Sequence, residues 1–173
     1  MAYSFIYRLI LFSLFSALIF TGCNQSSDQR EFEREAFSEP KGFTQTDISG
    51  KVINDQVDPD DWRISPFFQG LVEVLYAHPN PVQTNEELRI IVSNFGIQSI
   101  IGLYTFVITN RSTGSQFRPL GAPRSGELPP GDTTISIIGL ELADDQANPQ
   151  GLYRIIITDA NENVISYGDV QVE

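Results

Sequence analysis

The chain has 173 residues, with 22 Asp and Glu against 11 Lys and Arg, a formal net charge of −11 and 41% hydrophobic residues. That length suits one ordinary domain with flanking segments, and a single cysteine excludes disulfides, cysteine metal centres and thiol redox chemistry. So acidic a chain, with no basic patch interleaved with aromatics, is repelled by phosphate backbones, which excludes nucleic acid as an expected partner.

Residues 1–22 read as a lipoprotein signal peptide. A leader carrying Arg8 precedes a twelve-residue apolar run from Leu9 to Phe20, shorter than the ~20 residues a bilayer-spanning helix needs. The run ends in Phe20-Thr21-Gly22-Cys23, which resembles the bacterial lipobox with Phe20 in place of the usual Leu. The resemblance implies cleavage before Cys23 and attachment of a diacylglycerol to it, commonly followed by acylation of its amino group. An uncut anchor helix reaching back to Ala2 is the alternative. Removing residues 1–22 takes Arg8 away and leaves 151 residues with a net charge near −12. Membrane attachment then rests on acyl chains, at about 0.8 kcal/mol per buried methylene. Asn24 follows the cysteine where inner-membrane lipoproteins carry Asp, which favours the outer membrane of the cell envelope.

Residues 23–45 comprise the lipidated Cys and a segment with the composition of a flexible tether, rich in Ser, Gln and charge. Asp28 three before Glu31 has capping-box spacing, and Phe32 with Ala36 makes an i, i+4 pair, enough for one or two helical turns in search of a docking surface. Residues 46–70 form a bridging segment that holds the only Trp. Pro59 and Pro66 forbid a long central strand there. Asp58, Asp60 and Asp61 suggest a turn around Trp62, with a calcium loop as the alternative.

From residue 71 to 173 alternating apolar runs are separated by Gly, Pro, Asn and Asp clusters, the pattern of an all-β domain. Val72, Val74 and Tyr76 share one face of the first run; Leu88, Ile90 and Val92 define the second; Tyr104, Phe106 and Ile108 lie on the third, closed by a turn at residues 110–114. Residues 115–118 suggest a short edge strand. Ile135 and Ile137 mark another strand, Tyr153, Ile155 and Ile157 the next, and residues 164–172 a last one broken at Gly168. Six or seven strands without helical spacing predict a two-sheet antiparallel sandwich. Ile91, Ile138 and Ile156 fall on the outward parity, so something has to cover them. The nearest apolar supply is Trp62, Ile64, Phe67 and Phe68, which predicts that residues 46–69 fold back onto one sheet. The rival expectation leaves these aromatics exposed as a partner-binding patch.

Pro79-Asn80-Pro81 with Leu88-Arg89-Ile90, and Gly151-Leu152-Tyr153-Arg154-Ile155 with residues 159–164 and Gly168, resemble the immunoglobulin-like C-terminal sorting domains of Bacteroidota type IX secretion cargo and the related hook-capping domains. The resemblance spans roughly residues 75–173 and implies an immunoglobulin-like fold and a phylum. The lipobox and the acidic ending Val170-Gln171-Val172-Glu173 depart from that family's pattern, so no secretion signal is carried over. Tyr153, just after a Gly-containing corner at the start of the penultimate strand, stands where such sandwiches place a tyrosine that bonds back to the backbone upstream.

Motifs for chemistry are sparse. Asp159, Asn161 and Asn163 open like an EF-hand loop, yet Val164 occupies the position that needs Gly and Val170 the one that needs Glu, so a hairpin turn is expected. His78 is the only histidine, which removes two-histidine metal sites, and no nucleophile elbow accompanies it. Adjacent carboxylates such as Glu86 with Glu87 point to opposite faces of a strand. The expectation is therefore a lipoprotein that is no enzyme, needs no cofactor or metal, is anchored through Cys23 and docks a protein partner in the envelope. The alternative is a surface glycan- or peptide-binding module using Trp62, Phe67 and Phe68.

Overall fold

The computed structural model describes residues 27–109 and 116–173. Eight strands lie within them: β1 (Val72–Val74), β2 (Glu87–Asn94), β3 (Ile101–Thr109), β4 (Gln116–Pro119), β5 (Arg124–Glu127), β6 (Gly131–Ile138), β7 (Gly151–Thr158) and β8 (Val164–Val172). Two helices accompany them, α1 (Ser27–Ala36) and α2 (Gly139–Leu142). The strand missing from the six or seven expected is β5. All four of its residues are exposed, so it carries no alternation to read.

One antiparallel sheet has the order β1-β2-β6 and the other β4-β3-β7-β8, with β5 pairing the start of β3. Alternation explains their packing: Leu88, Ile90 and Val92 of β2 point inward against Val107 of β3, Ile155 and Ile157 of β7, and Val170 of β8. The protein is thus an all-β two-sheet sandwich. Its division into β1-β2-β6 and β3-β7-β8 follows the A-B-E and C-F-G split of immunoglobulin-like sandwiches. After β1 the chain stays beside β2, where His78 and Arg89 exchange backbone bonds; beyond Pro79 and Pro81 it crosses to β8, where Val82 bridges Val172 in parallel. Tyr76 lies outside β1, part-buried against the core. The tyrosine corner is present: Tyr153 Oη donates to the Pro149 carbonyl at 2.9 Å.

Two expectations are corrected. Residues 27–36 are a docked helix and not part of a flexible tether, because Phe32 and Ala36 find a partner surface in Ile108, Ile156, Val164 and Tyr167 on the outer face of the larger sheet. It is this helix, and not the bridge, that covers Ile156; Ile91 is half-buried and Ile138 stays exposed. β8 also runs unbroken through Gly168. The glycine is a slot: a Cβ there would sit 2.5 Å from Cδ2 and 2.7 Å from Cζ2 of Trp62.

The turn expected at residues 110–114 lies outside the described residues.

Candidate functional site

The bridge reaches Gly168 because residues 62–65 run antiparallel along the edge of β8. Trp62 N–H donates to the Tyr167 carbonyl at 2.7 Å and Ser65 N–H to the Ile165 carbonyl at 2.9 Å. Trp62 takes φ 60, a conformation disfavoured for a bulky residue; the strand bond and the indole's place in the core hold it there. Farther along β8, side chains replace a neighbouring strand. Asp61 Oδ1 accepts Asp169 N–H at 2.7 Å, while Asn80 Oδ1 accepts Gln171 N–H and Asn80 Nδ2 donates to the Asp169 carbonyl, each at 3.0 Å. Val82 and Glu173 complete the ladder. An open edge that would recruit another chain's strand is closed.

On the outer face of the same sheet Arg154, only 5% exposed, ties three elements together. Its Nε and Nη2 donate to the two carboxylate oxygens of Asp169, both at 2.7 Å, and Nη1 donates to the Glu35 carbonyl at 2.7 Å and to Ser38 Oγ at 3.0 Å. Arg154 thus adds a donor to the Glu35 carbonyl, which also accepts the Ser38 N–H, at the C-terminal end of α1, where a cation is favoured by the helix dipole. Nearby, Arg63 bonds Glu35 and the Tyr167 hydroxyl and lies over the Phe32 ring, 5.7 Å from its centroid. Phe32 itself packs on Tyr167 with ring centroids 5.1 Å apart.

Asp58, Asp61 and Asp169 bring carboxylate oxygens within 4.8 Å of one another. The acidic run seen in the sequence is thus split, since Asp60 turns outward to Arg63. These oxygens already serve protein donors. Asp61 Oδ2 accepts Thr44 N–H at 2.6 Å, Asp58 Oδ1 accepts Asp60 N–H, and Asp169 is chelated by Arg154. Burial is the main force raising the Asp61 carboxyl from 3.8 to about 7, helped by the negative charge of Asp169 and opposed by the two N–H donors. Asp169 has Arg154 as its cation, whereas Asp61 is held by the backbone N–H groups of Thr44 and Asp169, so burial pushes the Asp61 carboxyl toward its neutral form.

Of the residues the sequence singled out, Trp62 is 4% and Phe68 7% exposed, both within the main core, whereas Phe67 is 43% exposed. An aromatic platform built from all three is excluded by that burial. Asp159 closes its own turn, Oδ1 accepting the N–H groups of Asn161 and Asn163 at 2.9 Å. Cys23 and its lipobox lie outside the described residues. A groove of about 460 Å³ beside the bridge is lined by Trp62, Glu73, Tyr76 and His78, with Ser49 at its rim. Ser49 Oγ donates to Asp47 and His78 Nδ1 faces the Tyr76 carbonyl, so hydroxyl and imidazole do not form a nucleophile–base pair. Nothing in the sequence marks Arg154, Asp169 and Asn80 as joined in one site. Arg154 sits on the outward parity of an apolar strand, where a charge is usually solvated, and only a helix at residues 27–36 would have revealed its use.

No protein-family model matches this chain, and no curated protein matches it. Among solved structures it is similar to a β-glucosidase of Erythrobacter marinus, at 15% identity over 59% of this chain and 15% of that one, with a TM-score of 0.40. It is also similar to a Pseudomonas fluorescens alkylpurine DNA glycosylase bound to DNA containing an abasic-site analogue, at 12% identity over 60% of this chain and 30% of that one, TM-score 0.36. A third similarity is to AA10A of T. fusca, at 9% identity over 53% and 50% of the two chains, TM-score 0.33. The matched region spans half or less of each of those proteins.

Proposed function

We propose that the protein is a non-enzymatic lipoprotein of the bacterial cell envelope, anchored in the outer membrane through a lipid on Cys23 and presenting its immunoglobulin-like sandwich as a docking subunit. The observation that carries this reading is the way α1, four positions after Cys23, is fastened to the sandwich by Phe32, Arg63 and Arg154. Such fastening makes mechanical sense in a chain held at its amino end. The side chains of Arg154, Asp61 and Asn80 support a structural role, since each bonds to groups within the protein. Labelling cells with a clickable palmitate analogue tests the anchor. The wild type should take up label, and Cys23→Ser should remain an unlabelled, uncleaved precursor; label on the serine variant would refute the reading.

A further inference from the structure

The docked helix changes where the domain must sit relative to an anchor at Cys23. Were residues 23–45 a loose tether, 22 peptide steps at about 3.5 Å would let the sandwich roam roughly 75 Å from the bilayer. The structure has α1 begin at Ser27 and dock on the sandwich through Gln29, Phe32 and Ala36, which are buried. Only residues 24–26 then separate Cys23 from the folded body, and whatever path they take, the Cα of Ser27 lies within about 14 Å of that of Cys23.

The end of the sandwich that carries Ser27 is identifiable. Phe67 N–H donates to Gln29 Oε1 at 3.3 Å, so the amino end of α1 lies beside residues 66–69. Phe67 in turn lines a groove of about 340 Å³ with Ile101 and the Asp159–Asn163 turn. This is the end formed by the β2–β3 connection and the β7–β8 turn, and it holds four of the ten large apolar side chains exposed among the described residues: Phe67 at 43%, Phe95 at 51%, Ile97 at 73% and Ile101 at 47%; the other six, with Ile48 at 80%, lie on other segments.

We infer that this end lies on the bilayer, with Phe67, Phe95, Ile97 and Ile101 entering the interfacial region, so that the lipoprotein stands in a fixed orientation and offers the opposite end to its partner. The inference rests on lipidation of Cys23. The short linker brings the end to the membrane, and the exposed side chains supply apolar area to bury there. Charge does not: Asp28, Glu31 and Glu162 at this end would oppose anionic head groups, so contact with zwitterionic lipid should persist in high salt.

The test uses the full lipidated protein in phosphatidylcholine vesicles, with a nitroxide on Ile97→Cys or, at the far end, on Asn85→Cys. Both positions are exposed and should tolerate the change. Collision with an aqueous nickel complex should be severalfold weaker at position 97 than at 85, and oxygen collision stronger, unaltered by salt. Equal nickel access at the two positions in vesicle-bound protein would overturn the orientation and leave the anchor standing. Protection of position 97 that depends on protein concentration would equally overturn it, in favour of a second copy. Nitroxide uptake by the parent chain, whose one cysteine would then be a free thiol, would instead overturn the anchor.

Discussion

Replacing Gly168 by alanine tests how the bridge is held. The added Cβ would meet Cδ2 of Trp62 at 2.5 Å and Cζ2 at 2.7 Å, well inside van der Waals contact, and the opposing group is a rigid ring in the core. Forcing an extra carbon into such a site costs about 1–3 kcal/mol or more. Escape sets a ceiling: expelling an indole that buries about 200 Å² forfeits about 5 kcal/mol at 25 cal/mol per Å². The stiffer unfolded chain of the alanine variant returns about 0.4–1 kcal/mol, and the net expectation is a loss of about 2–4 kcal/mol. Trp62 is the only tryptophan, so its emission reads the outcome directly: blue-shifted and poorly quenched by iodide in the parent, red-shifted and quenched in Gly168→Ala. Urea unfolding followed by circular dichroism gives the energy. In a Trp62→Ala background the same alanine should be nearly neutral. A Gly168→Ala protein within about 0.5 kcal/mol of the parent, with unchanged emission, would refute the packing argument.

The Arg154–Asp169 pair should show strong coupling: Arg154→Met alone strands a buried carboxylate and costs about 3–5 kcal/mol, while Arg154→Met with Asp169→Leu costs less than the single change; additive losses in chemical denaturation would contradict this. Asp61 predicts a pH dependence. Its carboxyl is raised from 3.8 to about 7 in the folded state, so the contribution is full below pH 4 and is lost as the pH rises through 7. Wild-type stability should fall across that window by up to about 4 kcal/mol, and Asp61→Ala should flatten the profile; identical profiles for the two proteins would sink the assignment. Tyr153→Phe removes the 2.9 Å bond to Pro149 and should cost about 1 kcal/mol, read as a lower urea midpoint with no change in slope; an unchanged midpoint would show that the corner bond contributes nothing.

Features set by neighbours in sequence were legible without coordinates. The inward set Leu88, Ile90 and Val92 follows from period-two alternation, and Tyr153 is announced by the Gly-containing corner before it. The need to cover Ile156 was legible too, but the cover is α1 and not the bridge, which is the nearer apolar segment in sequence. Phe32 and Ala36 show an i, i+4 pair, yet so short a helix is decided by its docking surface, and that surface lies far along the chain: Arg154 reaches Glu35 across 119 positions. Gly168 illustrates the same limit. Within a strand a glycine reads as a break, and only the approach of Trp62 from the bridge shows it to be a vacancy kept for an indole. Trp62, Phe67 and Phe68 are close in sequence yet part in the fold: φ 60 at Trp62 and the ladder along β8 turn the first inward, while Phe67 remains at the surface.

The central claim is that a lipid on Cys23 holds the sandwich at the membrane. Mass spectrometry of the amino-terminal peptide from detergent-extracted protein tests it most directly. The mature chain should begin at Cys23 and carry the mass of a diacylglyceryl group. An amino terminus at any other residue, or an unmodified Cys23, would contradict it.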